Sequence, residues 1–190
     1  NVNQEIVVLK NEDKRTQLKK ILKDHTGSVL IFVRTKYGVR DLCRYIKALG
    51  CAVAEIHSNR SLAQRRESIG GFKAGRFRIL VATDIAARGI DVKGIELVLN
   101  YDLPEDINDY VHRIGRTGRA GQTGKAISFV NVSQIKSIGK IERITKKSIP
   151  LTKLVDFEIA PARYSQSRFN RSARPNRFRA RPRSPYSGNK

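Results

Sequence analysis

The sequence predicts an α/β domain: a parallel β-sheet with helices on both faces, followed by a disordered basic tail. Three observations carry that expectation. Short β-branched, continuously apolar runs recur along the first 150 residues, as in strands buried on both faces. Amphipathic stretches with helix caps separate them, which is the β-α-β pattern of a parallel sheet. From Pro161 onward the chain turns Arg- and Pro-rich and contains no acid.

The elements follow in order. "SVLIFV" (Ser28 to Val33) predicts a buried strand. In "TKYGVRDLCRYIKALG" Thr35 can cap a helix, Val39, Leu42, Ile46 and Leu49 share one face, and Gly50 can end it. "CAVAEI" predicts a second strand and Ser61 to Phe72 a second helix. "RFRILVAT" predicts a third strand and "IELVLN" a fourth. "EDINDYVHRI" predicts a helix and "KAISFV" a fifth strand. A last helix runs from Ser133 to about Lys146, with Ile135, Ile138, Ile141 and Ile144 as its stripe. Ligands of such sheets bind beyond the carboxyl ends of the strands. The informative loops are therefore those after Val33, Ile56, Thr83 and Asn100, and the one around Arg116.

Charge narrows the class of partner. With 38 Lys+Arg against 17 Asp+Glu, the net charge is +21, a field that attracts polyanions, nucleic acid first and an anionic membrane surface second. Residues 161–190 contribute eight Arg and one Lys. They interleave these with Tyr164, Phe169, Phe178 and Tyr186, a composition suited to screening phosphates and stacking bases. Four of the six prolines also lie there, and so few apolar groups cannot offset the entropy of ordering the segment. No 18-residue apolar run and no signal-peptide pattern occurs, so a soluble, cytoplasmic protein is expected. Cys43 and Cys51 belong to no CxxC or Cys/His cluster, and neither a disulfide nor a metal site is expected.

Two stretches resist a purely structural reading. "HRIGRTGRAGQTG" (His112 to Gly124) sets three arginines among glycines at intervals of three, a poor recipe for a helix or strand. His112 and Arg116 lie one turn apart, so both can face one cleft, and Gly118 frees the chain to aim Arg119 separately. Two converging guanidiniums suit a phosphate. In "ATDIAARGID" (Ala82 to Asp91) small residues follow a buried strand, Gly89 permits a bend, and Asp91 can accept from ribose hydroxyls or cap a turn.

Together, "VLIFV", "ATDIAARGID" and "HRIGRTGRAG" resemble the motifs of the second RecA-like domain of DEAD-box ATP-dependent RNA helicases, over about residues 1 to 150. The resemblance implies a RecA-like three-layer domain. It also implies that Arg116 and Arg119, with His112, act on the γ-phosphate of ATP as arginine fingers, and that Asp91 and Gly89 meet the nucleotide. Arg34, Thr35, His57, Ser58, Arg65, Thr83 and Arg88 would contact RNA or couple the RNA and ATP surfaces, and Phe32 would pack beside the arginines. Leu62 stands where the family usually has glutamine, and Ser58 where it has glycine.

Both Gly-Lys pairs, Gly124-Lys125 and Gly139-Lys140, lack the other residues of a phosphate-binding loop, and no D-E-A-D run exists. The chain is thus expected to be half of an active site, inactive alone, with Mg2+ held mainly by an N-terminal RecA-like domain. The alternative is a self-sufficient RNA-binding or annealing module.

Overall fold

The computed structural model describes residues 2–88, 92, 94–118 and 123–154. Seven parallel strands form one sheet in the order β3-β4-β2-β5-β6-β1-β7. They are β1 (Val2–Val8), β2 (Val29–Phe32), β3 (Val53–Ile56), β4 (Ile79–Ala82), β5 (Leu97–Asn100), β6 (Gly124–Val130) and β7 (Leu151–Lys153). The helices are α1 (Lys14–Asp24), α2 (Lys36–Ala48), α3 (Leu62–Lys73), α4 (Asp84–Ala87), α5 (Ile107–Ile114) and α6 (Ile135–Thr145).

The sheet is buried on both faces, as the apolar runs require. Alternate residues of one strand feed opposite cores: Leu30 and Phe32 join Tyr110 and Ile141 on one side, while Val29 and Ile31 join Leu18 and Ile46 on the other. The five predicted strands and four predicted helices form, each with its ends shifted by at most a few residues. Thr35 caps α2 by accepting from the Gly38 N–H at 3.0 Å, and Gly50 follows it at φ +79°. In α6 Ile138 and Ile141 are buried, while Ile135 and Ile144 are half-covered. A short 3-10 turn (Val132–Gln134) occupies the start of the predicted helix, capped by Asn131 and Gln134 in a reciprocal box.

Two strands are additions to the sequence reading. The polar-looking start contains β1, which lies between β6 and β7. Its Ile6 and Val8 enter one core and Val7 and Leu9 the other. β7 is a three-residue edge strand with every residue exposed, so it lacks the apolar run that marks an interior strand.

Candidate functional site

The carboxyl ends of β2, β4 and β5 meet the end of α5, where a cleft of about 240 Å³ opens. Phe32, Asp84, Ala87, Arg88, Asp109, His112, Arg113 and Arg116 line it. Helix α5 begins at Asp106, whose carboxylate accepts from the Asn108 N–H at 2.9 Å, and closes at Gly115. Its buried face, Tyr110, Arg113 and Ile114, fixes its rotation. His112 is thereby turned outward, and Arg116, one turn on, enters the same cleft. Gly118 takes φ +67°, a left-handed backbone that glycine adopts without penalty. His112 and Arg116 both line this cleft, as their one-turn spacing allows. Arg119, Gly89 and Asp91 lie outside the described residues, as do residues 155–190.

Arg113, to which the sequence assigned no role, organises the site. It is 2% exposed and grips Asp84 with two bonds, Nε to Oδ1 at 2.5 Å and Nη2 to Oδ2 at 2.6 Å. Its Nη1 donates to Asn100 Oδ1 at 3.1 Å and to the Asp102 carbonyl at 2.6 Å. The Phe32 ring lies 4.9 Å from the guanidinium carbon, close enough for a cation–π contact. Phe32 therefore packs beside an arginine of the quoted stretch, and that arginine is Arg113. From Asn100 the polar chain continues through Ser128 Oγ and the Tyr110 hydroxyl to Gln4 Oε1. Burial pushes the Tyr110 phenol above its ordinary pKa, against the opposing bond from Ser128. Asp102 bonds Lys14 Nζ at 2.7 Å and accepts from the Arg34 N–H at 3.1 Å, so the loops after β2 and β5 are held together.

Among the described residues, the other carboxylate lining the cleft is Asp109. Asp109 stands 3.7 Å from Arg88 Nη2 and 3.6 Å from His112 Nδ1. Asp84 is committed to Arg113, and Arg88, His112 and Arg116 line the open part of the cleft. Among the described residues no group of His, Cys, Asp and Glu could hold a metal ion.

The residues expected to meet RNA line the neighbouring strand ends. Arg34, Thr35 and Ser58 are exposed. Thr83 precedes α4 and makes no side-chain cap bond there. His57 is buried at 2% exposure. Its Nδ1 accepts from the Asn59 N–H at 3.2 Å, and burial lowers its pKa against the pull of Glu55. The imidazole is thus a neutral support beneath the loop. Arg65 reaches across to α4, where Nη2 donates to the Ala86 carbonyl at 3.1 Å. Leu62 is 62% exposed.

Gly124 shows why glycine recurs in this stretch. A Cβ there would run into Thr117 Oγ1 and the Gly118 backbone, while Thr117 is itself pinned by donating to the Ile95 carbonyl at 2.5 Å. Gly124→Ala is expected to cost about 1–3 kcal/mol, read as a lower thermal midpoint, because the atoms it meets include backbone.

Fold and cleft together define an α/β domain of RecA-like architecture, with arginines gathered beyond the carboxyl ends of a parallel sheet. The chain belongs to the helicase conserved C-terminal domain family, which residues 13–121 match, and within it to the DEAD-box RNA helicases. The ATP-dependent RNA helicase DBP2 of Eremothecium gossypii is 44% identical over 168 residues, covering 84% of this chain and 30% of that protein. This chain therefore spans under a third of that relative's length. Among solved structures, the E. coli DEAD-box protein SrmB bound to regulator of ribonuclease activity A is 33% identical at TM-score 0.73, covering 82% of this chain and 92% of that one. Saccharomyces cerevisiae Dbp5 bound to RNA and ADP BeF3 is 33% identical at TM-score 0.74, covering 80% and 41%.

Proposed function

We propose that this chain is the C-terminal half of an ATP-dependent RNA helicase, supplying arginine fingers and part of the RNA surface for RNA-stimulated ATP hydrolysis and local duplex unwinding. The observation that carries it is the arginine-lined cleft: Arg88 and Arg116, with His112 beside them, gathered around an Arg113–Asp84 pair that already satisfies its own charge. Such a cleft fits an anionic phosphate. ATP supplies the phosphoryl group that passes to water. Arg116 and Arg119 would neutralise charge on that group as the N-terminal RecA-like domain carries it in, and His112 would steady them from the end of α5. Asp91, at the bend made by Gly89, would accept from the ribose. Mg2+ would be held mainly by the N-terminal domain.

RNA would run along the strand ends as a sugar-phosphate backbone, read without regard to base. Arg34 and Arg65 supply charge, and Thr83 a hydroxyl. The Thr35 oxygen is occupied as a helix cap, while its O–H stays available to donate. His57 orders the loop so that Ser58 is presented, and Arg88 links this surface to the cleft. The basic tail, residues 161–190, would add a sequence-blind contact.

The test is ATP turnover by the full-length protein with and without RNA. Arg119→Ala is expected to abolish RNA-stimulated turnover while leaving the circular dichroism spectrum unchanged. Undiminished stimulation would sink the finger assignment, and RNA binding with no turnover in the unaltered protein would favour the annealing module.

A further inference from the structure

We infer that the outer face of α6 is a second RNA-backbone contact, outside the cleft, that holds the strand where it leaves the sheet ends; this rests on the RNA reading above. Lys136, Lys140 and Arg143 are exposed and fall at helical spacings of four and three. They form one ridge about 10 Å long at about 1.5 Å per residue. The ridge lies opposite Ile138 and Ile141, which enter the core, so it points directly away from the sheet. Lys146 and Lys147, both exposed, extend it past the helix end.

Three features set this ridge apart from an ordinary solvated face. First, no carboxylate of the described residues pairs with it, whereas Lys14 and Arg15 of α1 are paired to Asp102 and Asp41. Second, the one acid of α6, Glu142, is turned inward: its Oε1 accepts from the Ile149 N–H at 3.0 Å and the Ser148 hydroxyl at 3.4 Å. Third, Lys136 occupies the first turn, where the helix dipole disfavours a cation, and no acid stands there to compensate. An external polyanion supplies the missing countercharge. The ridge also adjoins the cleft's own scaffold, because α6 packs against α5, the helix that aims His112 and Arg113. A strand leaving the sheet ends across α5 meets α6 next. Unpaired lysines and an arginine on a convex helix face suit phosphates met as point charges, without base recognition.

The experiment compares the full-length protein with a variant carrying Lys136→Ala, Lys140→Ala and Arg143→Ala. RNA affinity is measured across salt concentrations on a single strand just long enough to span the strand-end residues Arg34, Ser58 and Thr83 and on a longer one. On the longer strand the slope of log affinity against log salt is expected to fall in magnitude by about two, three cations at about 0.7 each. The short strand should keep its slope. An unchanged slope on the longer strand overturns the inference, and so does an equal fall on both, since the ridge would then act only through the cleft's field. Loss of binding to phosphatidylserine vesicles with RNA binding intact would overturn it in favour of a membrane surface. Should the triple variant lose helix content, Lys140→Glu alone gives the same comparison, with an expected fall of about 0.7 for the one contact removed. Failure of the unaltered protein to bind RNA would end the helicase reading as well. Binding by that protein with no difference in the variant would end this inference alone.

Discussion

Asp84→Ala is expected to destabilise the domain by about 3 kcal/mol, seen as a lower denaturant midpoint at unchanged slope. Breaking a buried pair typically costs about 3–5 kcal/mol because the surviving charge is left uncompensated. Asp84 keeps 30% of its side chain in water, which favours the lower end. Arg113, at 2% exposure, has no route to solvent. Without Asp84 it would retain only neutral acceptors, Asn100 Oδ1 and the Asp102 carbonyl, and the Phe32 face. Adding Arg113→Met should recover much of the loss, since the orphaned charge is the main penalty and methionine fills irregular apolar space. A double variant as unstable as Asp84→Ala would mean that the pair matters through shape rather than charge.

The second large effect is on turnover. In the full-length protein Arg116→Ala is expected to lower RNA-stimulated kcat by about 10³- to 10⁵-fold, the range of an arginine finger, with stability nearly unchanged. Arg116→Lys should recover little of it, since an ammonium keeps the charge but loses the planar donor pair. Steady-state kinetics with saturating RNA separate the outcomes. A variant that raises KM while leaving kcat intact would make Arg116 a ground-state binder, and full activity of Arg116→Lys would show that charge alone suffices.

The parallel sheet was legible because interior strands such as Val29–Phe32 and Ile79–Ala82 are apolar on both faces. That His112 and Arg116 could face one cleft was legible from their one-turn spacing. The role of Arg113 was not. Its partner Asp84 is 29 positions away and its other acceptors lie at the end of β5 and just after it, so no local pattern announces the contact. His57 sits among loop residues, yet its side chain is buried and works as an acceptor for Asn59, a burial that its place in the chain does not announce. The Asp109–His112 pair, at a spacing of three in α5, carried a helical signal that sequence reading passed over.

β1 has a consequence for how the domain assembles. Val2 pairs with Gly124 and Val8 with Val130, so the first strand of the chain waits for one of the last before either is satisfied. Such non-local pairing raises contact order and slows folding, because the closure entropy of a long loop is met before the contacts that reward it form. Until then β6 presents an unpaired flank, the kind of edge on which chains associate wrongly. Residues 2–8 are the piece that joins β6 to the edge strand β7.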